Sequence, residues 1–351
     1  MLYWLLIFVP MSIVLELVHA PGLWIFASSA LAIVPLAAAM GSATDELAKR
    51  TGPTVGGLLN ATFGNLTELI IAFIALFAGR FEVVKASISG SIISNILLVL
   101  GLSILCGGLR RTEQRFNSTA AGTMAAMMLL AVIALVMPAI FDIVAPPEHA
   151  LPLEHFSEGV AVVLILIYAL SLVFSLVTHQ SLFSGEEHAT PPTQRLATSL
   201  LLLLGSTVLV ALEAEFLVGS IEQVVTTLGL SEFFIGIIVI PVVGNAAEHF
   251  AAVVFAMRNQ MDLAVNVALG STIQVAVLIA PILVLVGAFL GPNAQGEFFD
   301  LLFTPLEVTA VALAVLAANL IAIDGTTNWL EGAQLLAVYL IMGLAFFFLP
   351  S

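Results

Sequence analysis

Long apolar runs separated by short polar or Pro/Gly-rich punctuation recur from one end of this chain to the other. Taken as helices, the runs lie near residues 2–18, 23–43, 57–78, 84–106, 118–140, 158–180, 196–219, 234–257, 262–289, 305–323 and 330–349. A helix needs about 20 residues to cross a hydrocarbon layer about 30 Å thick, and most of the runs meet that length. A transmembrane barrel is set aside, because barrel strands are short and alternate apolar with polar positions, whereas these runs are continuous. The expected fold class is all-α and polytopic, with eleven transmembrane helices. Val18-His19-Ala20 loosely matches a signal-peptidase site, but no Lys or Arg precedes the first run, so a retained helix is the reading adopted.

Positions also repeat. Gly64-Asn65 with Glu68 and Gly244-Asn245 with Glu248 are offset by 180, as are Gly56 and Gly236. Gly90-Ser91-Ile92-Ile93-Ser94-Asn95 and Gly270-Ser271-Thr272-Ile273-Gln274-Val275 keep the same offset in the following segments. One register through two consecutive segments points to a duplication. The expected organisation is an extra N-terminal helix (1–21), a first five-helix repeat (22–180), a linker (181–195) and a second five-helix repeat (196–351). Because five is odd, the second repeat enters the membrane from the opposite side, and the two are inverted about an axis in the membrane plane.

Charge then supplies an orientation. Lys49, Arg50, Arg110, Arg111, Arg115, Arg195 and Arg258 fall on the side of the N-terminus, and only Arg80 and Lys85 fall on the other. Seven against two places the N-terminus in the cytoplasm and the C-terminus outside, in a prokaryotic inner or plasma membrane. The external connections carry Asp142, Glu148, Glu154, Glu158, Glu297 and Asp300, read as solvated loop charge. A net charge of −14 with only nine Lys and Arg argues against nucleic acid or phosphate as partner and favours cations. The single cysteine, Cys106, excludes a disulfide framework and a thiolate metal centre.

The chemistry lies in Glu68 and Glu248, which fall near the middle of their segments. An acidic residue at that depth costs about 2.5–3.5 kcal/mol on insertion scales, so a buried ionisable group is a functional candidate, and two at matched positions strengthen the case. Inverted symmetry brings both toward the midplane. At about 5 Å and an effective dielectric of about 20, two carboxylates repel by about 3.3 kcal/mol, so an empty pair is expected to hold protons. A divalent cation relieves the same repulsion and must compete with those protons for the same oxygens. Asn65 and Asn245 stand three residues before the glutamates, on the same helix face if the helix is continuous. Ser87, Ser91, Ser94 and Asn95 form one polar stripe on the next segment, and Asn266, Ser271 and Gln274 form its counterpart. Small polar residues in membranes often serve helix packing. Gathered with two carboxylates, they make an oxygen shell suited to a hard ion such as Ca²⁺. Gly64, Gly244 and Pro241 would let the helices unwind locally. His249 lies about 100° around the helix from Glu248 and is read as a packing or supporting residue. Glu46 and Glu215, with Asp45, Glu213 and Glu222, are read as lying near helix ends, as interfacial charge or as access-route carboxylates.

Together the motifs 64–70, 244–249, 90–95 and 270–274 resemble the paired repeats of the calcium/proton antiporters, the cation/proton exchanger branch of the calcium:cation antiporter superfamily. Asp324-Gly325 with Asn328-Trp329-Leu330-Glu331-Gly332 is similar to that branch's signature before its last helix. The resemblance covers nearly the whole chain. It implies a transporter and not an enzyme, with Ca²⁺ as transported substrate and H⁺ as counter-ion. It also implies Ca²⁺ between Glu68 and Glu248, with Asn65, Asn245, Ser91, Ser271 and Gln274 nearby. A further implication is that the second and seventh helices rock against the core. The expected partners are Ca²⁺, protons and the lipid bilayer, with a homo-oligomer compatible. Sodium-coupled relatives usually have Pro before the repeat glutamate and Ser or Thr in place of the asparagines. Thr67 and Ala247 stand there in this chain, which argues for protons. A sodium-coupled or broad divalent exchanger is the alternative. An intramembrane acidic hydrolase also buries paired acids, but nothing here supplies a cleft motif for it, and a channel fits broken helices less well than a carrier does.

Overall fold

The computed structural model describes residues 3–144, 153–183 and 191–349, and the helices lie where the apolar runs predict them. A 3₁₀ turn, Tyr3–Ile7, leads into α1 (Phe8–Leu17). Then follow α2 (Gly22–Gly52), α3 (Thr54–Phe77), α4 (Phe81–Gly108), α5 (Ser118–Val144) and α6 (Leu153–Thr178). After the linker come α7 (Leu196–Leu228), α8 (the bent pair Glu232–Gly244 and Ala246–Met257), α9 (Met261–Leu290), α10 (Pro305–Ala322) and α11 (Trp329–Phe347). Among the described residues nine helices are long and apolar enough to span a membrane, and the bent pair makes ten. The expected count of eleven therefore turns on the apolar stretch Tyr3–Leu17, whose length at 1.5 Å per residue is about 22 Å. The linker motif 184–188 and Glu148 lie outside the described residues. The only strand pairing described is two residues long, Gln114–Arg115 against Thr326–Thr327.

Two expected segments prove longer than their apolar cores, and this corrects the placement of several acids. The second was expected to end near residue 43, but helix continues through Asp45, Glu46, Lys49 and Arg50 until Gly52, whose φ of 81° breaks it. Long charged side chains extend a helix beyond the hydrocarbon without breaking it. The seventh continues to Leu228 and stops at Gly229 with φ 67°, a left-handed glycine cap. Glu213, expected near a helix end, is thus the eighteenth of 33 residues in α7 and fully buried.

The chain divides into two compact units. One comprises Met1–Ser87, Glu186–Glu248 and Phe346–Ser351, and the other Ile88–Gly185 and His249–Ala345. In the first unit, Ala32, Leu36, Met40, Ala43 and Leu47 form one stripe of α2, recurring every three or four residues, and pack with Val9 of α1 and Leu203 and Val210 of α7. Polar bonds fix the ends of this layer. Gly22 N donates to Gln223 Oε1 at 2.7 Å, and Arg80 pairs with Glu232 at 2.7 Å and Glu222 at 3.6 Å. Deep inside, Ser12 of α1 donates to Glu213 at 2.7 Å. Gly236 lets α8 press against Ala86 and the Val83 carbonyl, where an added Cβ would lie 2.7 Å from the Ala86 methyl.

In the second unit α5 packs on α10 and α6 on α9. Glu307, which the sequence reading passed over, is buried at the start of α10. It accepts from Thr304 N and Thr304 Oγ1, both at 2.9 Å, and from Ser89 Oγ at 2.7 Å, a capping box reinforced from a neighbouring helix. The signature motif before the last helix is likewise structural. Asn328 and Glu331 cap α11, Gly325 (φ 70°) turns beneath Phe116 and Ser118, and Gly332 presses on α4.

A Cβ at Gly332 would stand 2.4 Å from Leu105 N and 2.7 Å from Gly101 O, against backbone that has no room to retreat. Gly332→Ala should therefore lower the unfolding midpoint in detergent, at an overpacking cost of about 1–3 kcal/mol. Gly122→Ala, where nothing lies within 4 Å of the added methyl, should be neutral or slightly stabilising.

Candidate functional site

Both motif helices break at the repeated asparagine. α3 is interrupted at Asn65 (φ −99°, ψ 30°) and α8 at Asn245 (φ −94°, ψ 3°), where the two halves of α8 meet at 58°. Helix resumes at Leu66 and at Ala246. Gly64 and Gly244 precede the breaks, as the expectation of local unwinding requires.

The breaks alter the reading of the asparagines. They do not share a continuous helical face with the glutamates, because each is the junction residue and not part of a helix. Glu68 and Glu248 instead sit third in the new half-helices, within the first turn, where unpaired backbone N–H groups and the helix dipole favour negative charge. Asn245 is fully buried and closes its break by donating its side-chain amide to Pro241 O at 3.1 Å, the same carbonyl that its backbone N–H reaches at 3.0 Å. Asn65, also buried, makes no side-chain capping bond.

The two halves of this motif meet inside the first unit. A Cβ added at Gly244 would stand 3.6 Å from Glu68 Cγ and 3.9 Å from its carboxyl carbon, so the Glu68 side chain rests against the break of α8. Glu68 is buried, and Glu248 lies four residues beyond Gly244 on the half-helix that follows this break. Among the described residues no group of three or more His, Cys, Asp or Glu side chains gathers to hold a metal.

The remaining predicted residues divide between the units. Ser87 belongs to the first, and Ser91, Ser94, Asn95, Asn266, Ser271, Gln274 and His249 belong to the second. Within the second unit the two polar stripes do meet, since Asn95 Nδ2 donates to Ser271 Oγ at 2.9 Å and both side chains are buried. Ser94 Oγ turns back to the Ser91 carbonyl at 3.2 Å. At the end of each stripe the helix widens into a π-turn, Ser94–Val99 in α4, which takes in Ser94 and Asn95, and Val275–Ile279 in α9, which follows Gln274. Such turns often mark functional sites; these two stand close to the repeat offset, whereas those at Phe174–Thr178 in α6 and Ile235–Val239 in α8 have no counterpart among the described residues. His249 is buried, as a packing residue would be, and its Nε2 meets no hydrogen-bond partner among the described residues.

Glu46 and Glu215 lie elsewhere. The Glu46 carboxylate is occupied by Lys49 Nζ at 2.8 Å, Thr193 N at 2.7 Å, Gln194 N at 3.0 Å and Thr193 Oγ1 at 3.1 Å, so it ties the end of the linker to α2. Arg50 adds a bond to the Gln194 carbonyl. Glu215 is exposed, on the side of α7 away from buried Glu213. Glu213 was undervalued from sequence, because its burial depends on α1 covering it.

The chain as a whole has counterparts among known proteins. The family model described as sodium/calcium exchanger protein matches residues 21–177 and 198–348. This chain belongs to that family. It is 48% identical over 99% of its length to a Ca²⁺/H⁺ antiporter of Aphanothece halophytica, covering 96% of that protein. It is 47% identical to a Ca²⁺/H⁺ antiporter of Synechocystis, covering 99% of this chain and 97% of the other. A solved structure of native YfkE superposes with a TM-score of 0.86 at 37% identity, covering 99% of this chain and all of that one.

Asn245→Ala leaves the Pro241 carbonyl one bond short in a buried setting. Because the backbone N–H of residue 245 still reaches that carbonyl, the expected cost is that of one net hydrogen bond, about 0.5–1.5 kcal/mol, read as a lowered unfolding midpoint relative to wild type.

Proposed function

We propose that this chain is a secondary active transporter that expels Ca²⁺ from the cytoplasm in exchange for external protons, alternately exposing the pair Glu68 and Glu248 to the two sides. The observation that carries this reading is the matched pair itself. Two acids sit at the same position of two broken helices, and Glu68 rests against the break that precedes Glu248. Such a pair binds either one divalent cation or protons, and mutually exclusive occupancy is the physical basis of exchange. Oxygen ligands suit Ca²⁺ as cargo. Relatives that align over 99% of the chain carry the name Ca²⁺/H⁺ antiporter, which supports the same pairing of ions.

The midplane position is supported by the place of the breaks, since Asn65 is the twelfth of the 24 residues of α3 and Asn245 separates two stretches of nearly equal length. Two matches of the family model in one chain, 21–177 and 198–348, support the duplicated halves. We assign Asn65, Asn245, Ser91, Ser271 and Gln274 to the remaining oxygen shell, on the register of the sequence repeat. Thr67 and Ala247 before the glutamates favour protons over sodium as counter-ion, and the seven-to-two division of basic residues places the N-terminus in the cytoplasm. The apolar seam of α2 and α7, with the Gly22–Gln223 bond near one end, suits those helices for moving as one body during alternating access.

In proteoliposomes a pH gradient should drive Ca²⁺ uptake, and a sodium gradient of equal size should not. Glu68→Gln and Glu248→Gln should each reduce the initial rate at least tenfold. Normal uptake in both variants would refute the site, and sodium-driven uptake would replace the counter-ion.

A further inference from the structure

α4 ends and α11 begins side by side, so closely that a Cβ on Gly108 would lie 2.8 Å from Trp329 N. Beside this contact is an open cleft of about 680 Å³ lined by Gly108, Leu109, Arg110, Arg111, Trp329 and Leu330 among others. Arg111 is anchored there, donating to Gly107 O at 2.8 Å and Met257 O at 3.1 Å, which uses two of its five N–H groups. Arg110, the preceding residue, is exposed. The rim is apolar and open: Leu109 is 66% exposed, Trp329 49% and Leu330 50%.

The acids on the neighbouring turns already have partners. Glu113 pairs with Arg115 at 2.6 Å, Glu331 accepts from Thr327 Oγ1 at 2.6 Å and Asn328 Nδ2 at 2.9 Å, and Asp324 accepts from Thr326 N at 3.3 Å. Two of the nine basic residues of a chain with net charge −14 are thus placed together at the ends of two apolar helices, next to an exposed tryptophan. Guanidinium groups match a phosphate in charge and geometry, and tryptophan settles at the depth of lipid headgroups.

We propose that this cleft binds the headgroup of an anionic phospholipid. Its phosphodiester would lie against Arg110 and Arg111, and its acyl chains would leave over Leu109 and Leu330. The inference rests on the proposed orientation only for the leaflet from which the lipid comes, the cytoplasmic one, where anionic lipid attracts basic residues near the surface.

The test is native mass spectrometry of the full chain in detergent with phosphatidylglycerol, phosphatidylcholine or inorganic phosphate added. Phosphatidylglycerol should be retained over phosphatidylcholine. Arg110→Gln should weaken its retention about fivefold, the effect of one basic residue at a membrane surface, and Arg110→Lys should restore most of it. Ca²⁺ uptake in phosphatidylcholine vesicles should match wild type, showing that the variant is folded. Equal phosphatidylglycerol retention in wild type and Arg110→Gln would overturn the proposal. Displacement of the lipid by equimolar inorganic phosphate would overturn it as well, leaving a simple phosphate site. Because the detergent assay has no sidedness, an error in orientation would leave these outcomes unchanged and would appear only in labelling of the two membrane faces.

Discussion

Glu68 and Glu248 each sit on the first turn that follows a helix break, and Glu68 is buried against the break that precedes Glu248, a placement of acids in an apolar setting on which the proposed function depends. The helix starts help, but a dipole contributes only about 0.3–1 kcal/mol to a nearby anion. In the proposed site, two carboxylates brought to about 5 Å at a dielectric of about 20 would repel by about 3.3 kcal/mol, more than backbone dipoles offset. A carrier of the proposed kind depends on a cation or protons relieving that repulsion.

Other buried acids in the chain escape it through their partners. Glu46 is surrounded by a lysine, two backbone N–H groups and a hydroxyl, and Glu307 by a backbone N–H and two hydroxyls. Both serve as fasteners, one holding the linker to α2 and the other starting α10. Glu213 joins α1 to α7 through Ser12. Residue type alone does not separate these acids from the central pair. What separates Glu68 is its place inside the repeated motif, with its side chain against the break of α8.

Close approach of backbones is what allows such irregular helices to persist in an apolar setting. A freed carbonyl in lipid must find a donor, and Asn245 supplies two to Pro241. Glycines do the complementary work where helices touch, as at Gly236 in one unit and Gly332 in the other. The duplication extends to this level. Breaks at Asn65 and Asn245 and π-turns after residues 93 and 274 keep nearly the spacing of the repeated motifs.

Helical class, the approximate position of the long apolar helices and the duplicated motif with its two glutamates were legible in the sequence, because each depends on local pattern: apolar length, turn residues and a constant offset of 180. Family resemblance followed from the same residues. Tertiary structure decided the rest. It showed the asparagines as junctions and not as members of a helical face, carried α2 and α7 past their apolar cores, and buried Glu213 and Glu307 among partners distant in sequence. Propensity and hydropathy act over a few residues, whereas the partner of a buried polar group is chosen by which helices pack together. Sequence can therefore say that an acid is costly in the membrane, and only the fold can say what it is costly against.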